Sequence, residues 1–334
     1  MRTNRRNLLN LSFTVVSSLF LSSMYRTVAL AEGFRKLRIA SVKFGSLSWL
    51  LETIKAEGLD KKYGLTIEIV ETATNASTPV ALYGGNADIV VTDWPWVLRQ
   101  RAMGEKLRFS PFSASLGAVM VANSSSIHAL SDLKGKKLGV AGTATDKSWL
   151  LIRAFSRSKL GGDLADWVTP QFGSAPLLNE QLRSSKIDGV LNFWTYTARL
   201  EAQGYRKVIS MADVLSELGV YPQPALVGFV WNERLETEML EAIRGFLLSV
   251  QDANKLLLET NGPWKRLQDQ MKVTDENEFQ LLIKAYRSGV RGYWTNTDMQ
   301  AAEKIFAILN TLEKEELVGK ELPFDTKAFY VPRT

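Results

Sequence analysis

Short apolar runs alternate with longer helix-like stretches along most of this 334-residue sequence. Leu37–Val42 and Leu65–Val70 have the length and apolar content of buried strands, and the intervening Ser48–Glu57 has apolar residues at helical spacing. Strands that alternate with helices form βαβ units on a largely parallel sheet, with helices covering its faces. The order therefore predicts an α/β fold.

The same units recur in a second series. It begins at Leu138–Val140, after the polar segment Asn123–Ser126, and continues to Val208–Ser210. About 300 residues follow the N-terminal leader described below, which is more than one core comfortably holds. We therefore expect two lobes.

The last third of the chain is predicted to be mostly helical after a return strand at Ala225–Trp231. One long segment carries apolar residues every three or four positions, at Leu235, Met239, Ala242, Phe246, Val250 and Leu257. This spacing predicts an amphipathic helix. Packing of its apolar stripe on the first lobe is favoured over binding to a partner protein.

The N-terminus has the order of a secretory signal peptide. An arginine-containing start, Met1–Arg6, precedes the mainly apolar Leu8–Met24 and the small-residue segment Ala29–Ala31. The apolar run is diluted by serines and falls short of the ~20 residues that a membrane span needs. We predict cleavage after Ala31 and export to the periplasm. The Arg5-Arg6 pair leaves the general and the twin-arginine export routes both open.

Charge and residue usage narrow the function classes. Residues 1–31 hold four of the 41 Lys and Arg residues and none of the 35 Asp and Glu residues, so without them the formal net charge falls from +6 to +2. A surface so near neutrality argues against a nucleic-acid partner, which needs a basic stripe. The chain has no cysteine and a single histidine, His128, among serines. We therefore predict no catalytic residues, no metal site and no cofactor.

Three motifs carry a family resemblance. Asp132–Val140 reads DLKGKKLGV, Leu82–Val90 reads LYGGNADIV, and Lys61–Leu65 reads KKYGL. In this order, they resemble the periplasmic binding proteins of the nitrate, sulfonate and taurine importers, a group that includes thiamine-pyrimidine binders. The resemblance implies a type II periplasmic binding protein fold, in which two doubly wound lobes are joined by two crossover hinge strands.

The resemblance also implies lobe boundaries. Residues 1–31 are the signal peptide, residues 32–120 and 226–334 form a discontinuous lobe 1, and residues 121–225 form lobe 2. The crossover strands are then Gly117–Ala122 and Ala225–Trp231.

Ligands of open α/β sheets bind beyond the carboxyl ends of the strands, where helix N-termini present free amides. This rule selects five loops, after the strands that end near residues 42, 70, 91, 140 and 191. The predicted ligand contacts are Phe44, Ser46, Ser48, Thr78, Asp93, Trp94, Thr143, Thr145, Asp146, Trp194 and Tyr196. For the hydroxyl residues and Asp93, a helix-capping role stays open.

The residue types in these loops indicate the ligand chemistry. Small hydroxyl residues at helix N-termini suit a sulfonate or carboxylate. Aromatic residues would stack on a flat ring or enclose an ammonium group. Asp93 and Asp146 could pair with an amine, and no arginine lies in the loops, which disfavours nitrate. A taurine-like zwitterion or a nitrogen-containing ring fits better.

The sequence is therefore interpreted as the periplasmic solute-binding component of an ABC-type importer. It is expected to be a monomer that captures a small organic molecule between its lobes and delivers it to an inner-membrane permease with a cytoplasmic ATPase. A periplasmic sensor and a metal-uptake protein of the same fold remain alternatives, and an enzyme on this fold is disfavoured.

Overall fold

The computed structural model of the protein describes residues 34–42, 45–72, 77–316 and 323–331. The signal peptide predicted for residues 1–31 lies outside the described residues, and so does Phe44. No helix in the described part of the chain is both long enough and apolar enough to cross a membrane.

The strands fall into two groups. In chain order they are β1 Arg35–Val42, β2 Leu65–Thr72, β3 Val90–Asp93, β4 Leu107–Ser113, β5 Ala118–Val121, β6 Lys137–Ala141, β7 Thr169–Gly173, β8 Gly189–Asn192, β9 Arg206–Ser210 and β10 Val227–Asn232. In lobe 1, β1 pairs in parallel with β2, β10 lies antiparallel between β3 and β4, and a bridge from Ile39 to Ile89 joins the two sets. Lobe 2 has a five-stranded sheet in the order β7-β6-β8-β5-β9.

Helices connect and cover these strands. They are α1 Ser46–Ala56, α2 Leu59–Lys62, α3 Thr78–Tyr83, α4 Trp94–Ala102, α5 Lys147–Lys159, α6 Leu164–Trp167, α7 Ala175–Arg183, α8 Trp194–Ala202, α9 Met211–Glu217, α10 Glu233–Glu259, α11 Gly262–Met271, α12 Glu276–Gly289 and α13 Asn296–Glu316. Short 3-10 helices cover Leu130–Leu133 and Thr326–Ala328.

The chain passes between the two sheets twice, which confirms the predicted fold class. It leaves the first sheet at Ser113 and enters the second at Ala118, and it returns at Val227. Most of the predicted first crossover strand, Gly117–Ala122, forms β5, so the passage lies a few residues earlier than the predicted boundary at residue 120. A Cβ on Gly117 would lie 1.5 Å from the carbonyl oxygen of Asn192, so only glycine fits at this position.

The predicted amphipathic helix is α10, and its apolar stripe packs in the core of lobe 1. Ala242 and Phe246 are fully buried there, and Phe246 meets the ring of Phe229 from β10 at 5.0 Å between centroids. The predicted spacing breaks only at Met239, whose φ of −141° interrupts the helix. Burial of this stripe confirms the packing interpretation.

The C-terminal helices contact both lobes. α12 packs against α8 of lobe 2, and the backbone amide of Ala114 in the first crossover donates to the carbonyl oxygen of Gly289 at the end of α12 (2.9 Å). α13 packs against α5, and Lys304 of α13 donates to the carbonyl oxygen of Gly219 (2.8 Å). These helices therefore lie along both flanks of the gap between the lobes.

Candidate functional site

Helix N-termini from the two lobes face each other across this gap. α4 begins directly after β3 and lies opposite the start of α5, where Asp93 and Lys147 form an ion pair between the lobes. α1 lies opposite the start of α8, where the rings of Trp49 and Trp194 meet edge to face at 5.9 Å. Four of the five predicted loops thus lie where the two lobes meet, which is the region where open α/β sheets bind ligands. We call this interlobe region the cleft.

A charged cluster forms one end of the cleft. Asp93 caps α4 by accepting the backbone amide of Trp96 at 2.9 Å, and Asp146 caps α5 by accepting that of Ser148 at 2.8 Å. Lys147 is the first residue of α5, and its Nζ lies 3.6 Å from Oδ2 of Asp93. Asp93 and Asp146 therefore each cap a helix and also lie in the cleft.

Burial changes the acid–base properties of this cluster. Burial raises the pKa of Asp146, and the positive charge of Lys147 opposes that rise. Burial by itself lowers the pKa of Lys147, but the charges of Asp93 and Asp146 outweigh it and raise that pKa above its ordinary value. The lysine therefore stays charged, and its charge favours the ionised form of the Asp146 carboxyl group.

The predicted hydroxyl residues divide into two groups. Ser48 and Thr78 are buried and donate to backbone carbonyl oxygens, of Gly45 at 2.7 Å and of Val91 at 3.4 Å. Ser46 is half-buried at the first position of α1. Thr143 and Thr145 are exposed in the loop before α5, and their hydroxyl groups are bonded to each other at 3.0 Å. Ser46, Thr143 and Thr145 are therefore the predicted hydroxyl residues that a ligand could reach.

Trp94 was predicted as a wall of the ligand site, but its ring is fully buried inside lobe 1. It is surrounded by aromatic rings at centroid distances of 6.1 to 6.3 Å, those of Trp294, Phe306, Phe324 and Phe329. The sequence places Trp94 at a strand end, but the apolar ring turns away from the cleft because C-terminal aromatic residues cover it. Its role is packing.

Trp194 and Tyr196 form the other end of the cleft. Both are half-buried, and burial raises the pKa of Tyr196. Trp194 contacts the rings of Trp49 and Tyr286 in lobe 1, the latter at 6.4 Å. A cavity of about 70 Å³ lies beside them and is bordered by Gly45, Trp49, Thr195, Tyr196, Arg199, Gln270, Met271 and Lys272. This volume is enough for a few non-hydrogen atoms.

Two cations of the cleft were absent from the sequence prediction. Lys147 follows Asp146 directly, and Arg199 lies one helical turn after Tyr196 on α8. Arg199 donates to the carbonyl oxygen of Met271 at 2.6 Å and forms an ion pair with Glu278, which balances its charge. Arg199 follows Tyr196 by three residues, and residues at this spacing are neighbours on a helix surface. This spacing could have placed Arg199 next to the predicted ligand contact Tyr196. The predicted loops contain no arginine, but Arg199 of α8 still borders the cleft.

The single histidine and the possible metal-binding groups were also considered as functional residues in the sequence. His128 is exposed in the loop after β5, and its backbone amide donates to Asp132 at 2.9 Å. Within the described ranges, no group of three or more histidine, aspartate or glutamate side chains could hold a metal ion.

The chain is similar in sequence to one known protein family. A sequence model of the family described as NMT1/THI5 like matches residues 55–260. The chain belongs to the NMT1/THI5-like family. The solved structures described next share the fold that the predicted resemblance to the nitrate, sulfonate and taurine group implies. Among curated protein sequences, none matches this chain.

Solved structures share the fold at low sequence identity. The alkanesulfonate-binding protein SsuA from Xanthomonas axonopodis pv. citri, bound to MOPS, is 17% identical, covers 88% of this chain and 98% of its own, and has a TM-score of 0.71. The periplasmic aliphatic sulphonate binding protein SsuA from Escherichia coli is 18% identical over 90% and 93% of the chains, with a TM-score of 0.70. A zinc-bound ligand-binding component of an ABC-type import system from Staphylococcus aureus has 15% identity over 89% and 97%, with a TM-score of 0.66.

Proposed function

We propose that this family member is the periplasmic solute-binding component of an ABC-type importer. The observation that carries the proposal is the meeting of helix N-termini from both lobes at a cleft where Asp93 of lobe 1 faces Lys147 of lobe 2. Such a cleft would enclose a small molecule as the lobes close. The protein would then deliver its ligand to an inner-membrane permease driven by a cytoplasmic ATPase.

The proposed ligand is a taurine-like zwitterion or a nitrogen-containing ring. Asp93 and Asp146 would receive its cationic nitrogen, and half-buried Trp194 and Tyr196 would contact its apolar part. The exposed hydroxyl groups at the start of α5 would receive its anionic end together with the helix amides. The two SsuA structures named above bear sulfonate-binding names, which supports a sulfonate as the anionic group of the ligand.

The remaining expectations belong to the same proposal. Export with cleavage after Ala31 would release a monomer into the periplasm. Lobe 2 would move against lobe 1 about the two crossovers.

A melting experiment on the mature protein tests the proposal. Taurine, ethanesulfonate, ethylammonium chloride, an aminopyrimidine and sodium nitrate are compared at equal ionic strength. We expect taurine or the aminopyrimidine to raise the melting temperature most, since a ligand at 100 times its Kd adds ~2.7 kcal/mol to the free energy of unfolding.

Charge-removing variants locate the binding. Asp146→Asn keeps a side chain that caps helices well but removes the charge, so it should abolish the shift. Asp275→Asn is the matched control, because Asp275 likewise caps a helix, α12, by accepting the amide of Glu278 at 2.9 Å. A shift with nitrate alone, an equal loss in both variants, or chemical conversion of a bound probe would refute the proposal.

A further inference from the structure

Lys147 occupies a position that local structure disfavours. It is the first residue of α5, where the partial positive charge of the helix N-terminus repels a cation. Its side chain is only 16% exposed, and lysine is rarely so buried unless it is paired. The stability of the helix therefore gives no reason for a lysine here, and the reason must lie in what its ammonium group faces.

The ammonium group faces acids from both lobes. Within the described residues, Asp93 of lobe 1 is the one carboxylate within 4 Å of Nζ, and Asp146 precedes Lys147 in the chain. Arg99 of α4 is the other cation whose charge reaches Lys147. Lys147 thus neutralises a carboxylate of the opposite lobe.

The ion pair is loose. The distance of 3.6 Å between Nζ and Oδ2 of Asp93 exceeds the ~2.7–2.9 Å of a charge-assisted hydrogen bond. A small ammonium group that is free of the helix could approach Asp93 more closely than Lys147 does. The contact is therefore of the kind that a ligand can replace.

We propose that Lys147 is a built-in counter-ion that occupies an ammonium subsite formed by Asp93 and Asp146. Its ion pair with Asp93 joins the lobes, and a ligand with a primary ammonium group displaces Lys147. The inference rests on the proposed function for the identity of the cleft, and it makes Lys147 a competitor of the ligand's cationic nitrogen.

Chemical rescue tests this proposal without the natural ligand. Lys147→Ala vacates the subsite, and the melting temperature of this variant should fall. Ethylammonium chloride should restore it with saturation, and its affinity should be roughly fivefold higher than for the wild-type protein, which is the size expected for loss of a partly exposed ion pair. Tetramethylammonium chloride at equal concentration has no N–H donor and should not rescue.

Two further variants keep the test specific. Lys159→Ala lies in the same helix and removes a similarly long ion pair, to Glu217 at 3.9 Å, so ethylammonium should not restore it. Rescue should also be lost in the double variant Lys147→Ala with Asp93→Asn. Equal rescue of both lysine variants, or rescue that survives in the double variant, would overturn the proposal.

Should Lys147→Ala fail to fold, Lys147→Gln keeps most of the side-chain length and removes the charge, and its ethylammonium affinity supplies the comparison with the wild type. An unchanged affinity would overturn the proposal. Failure of the proposed function is a separate result, because it appears as the absence of any shift of the wild-type protein with taurine or the aminopyrimidine.

Discussion

The lobes meet at two ends of the cleft, and the two contacts differ in kind. At the α8–α12 end, Glu278 is 1% exposed, forms an ion pair with Arg199, and accepts a hydrogen bond from Thr274 at 2.7 Å. At the α4–α5 end, the side chains of Lys147 and Asp93 are 16% and 24% exposed and lie 3.6 Å apart. A buried, fully bonded pair is costly to separate, whereas a loose and partly hydrated pair is not. We call the first contact, between Arg199 and Glu278 at the α8–α12 end, the seam. We call the second contact, between Lys147 and Asp93, the replaceable contact.

The largest expected effect comes from breaking the seam. Arg199→Met leaves the Glu278 carboxylate buried without its cation, and we expect the free energy of unfolding to fall by ~3 kcal/mol in denaturant titrations. Arg183→Met is the control, since Arg183 pairs with Glu180 on an exposed face of α7 and should cost ~0.5 kcal/mol. Equal losses in the two variants would remove the distinction between the contacts.

A buried pair within one lobe gives a reference for the seam. Burial alone raises the pKa of Asp163, but hydrogen bonds from Arg153, the Ala165 amide and Arg157 lower it to about 2 from its ordinary value of 3.8. A carboxyl group with a lowered folded-state pKa stabilises the protein above the unfolded-state pKa and loses that contribution as the pH falls through the folded value. The stabilisation is therefore present above about pH 4 and lost toward pH 2.

Asp163→Asn should consequently cost ~2 kcal/mol at pH 7 in urea titrations. The difference between variant and wild type should shrink steadily below pH 4. A difference that stays constant between pH 7 and pH 2.5 would show that the ionised carboxylate is not what stabilises this pair.

A smaller effect is expected for the aromatic part of the seam. Trp194→Leu keeps an apolar side chain but removes the edge-to-face contacts with Trp49 and Tyr286, which should cost ~1 kcal/mol. Thermal unfolding measures the loss, and tryptophan fluorescence should change with it. If this variant lost more stability than Arg199→Met, aromatic packing rather than the buried charge would hold the seam.

The smallest effect belongs to the replaceable contact. Lys147→Met should lower the free energy of unfolding of the empty protein by less than ~1 kcal/mol, and by less still at high salt. Denaturant titrations at low and high salt, with Lys159→Met alongside, measure this. A loss near that of Arg199→Met would make the two ends of the cleft equivalent.

Much of the fold and part of the site followed from local patterns. β2 was predicted at Leu65–Val70 and extends to Thr72. The two aspartates at strand ends were recognised because both a cap and a cleft residue need a polar side chain there. Such features depend on neighbours in sequence, which periodicity reports well.

The errors concern side chains whose partners are distant in sequence. Trp94 looks like a cleft residue until Phe306 and Phe329 are known to cover it, more than 200 positions later. Arg199 has no local sign of its bond to Glu278, and the orientation of Lys147 toward Asp93 requires the second lobe to be in place. Spacing along the chain contains none of these contacts.

The sequence by itself determined the alternating strands and helices and the loops that follow the strands, because these depend on short-range periodicity and chain order. The type II fold with its two passages between sheets was indicated by the resemblance of three sequence motifs to a known family. Only the tertiary structure decided which side chains enter the cleft. Burial and ion pairing depend on the approach of two lobes and a C-terminal segment, so the roles of Trp94, Lys147 and Arg199 are set by three-dimensional neighbours.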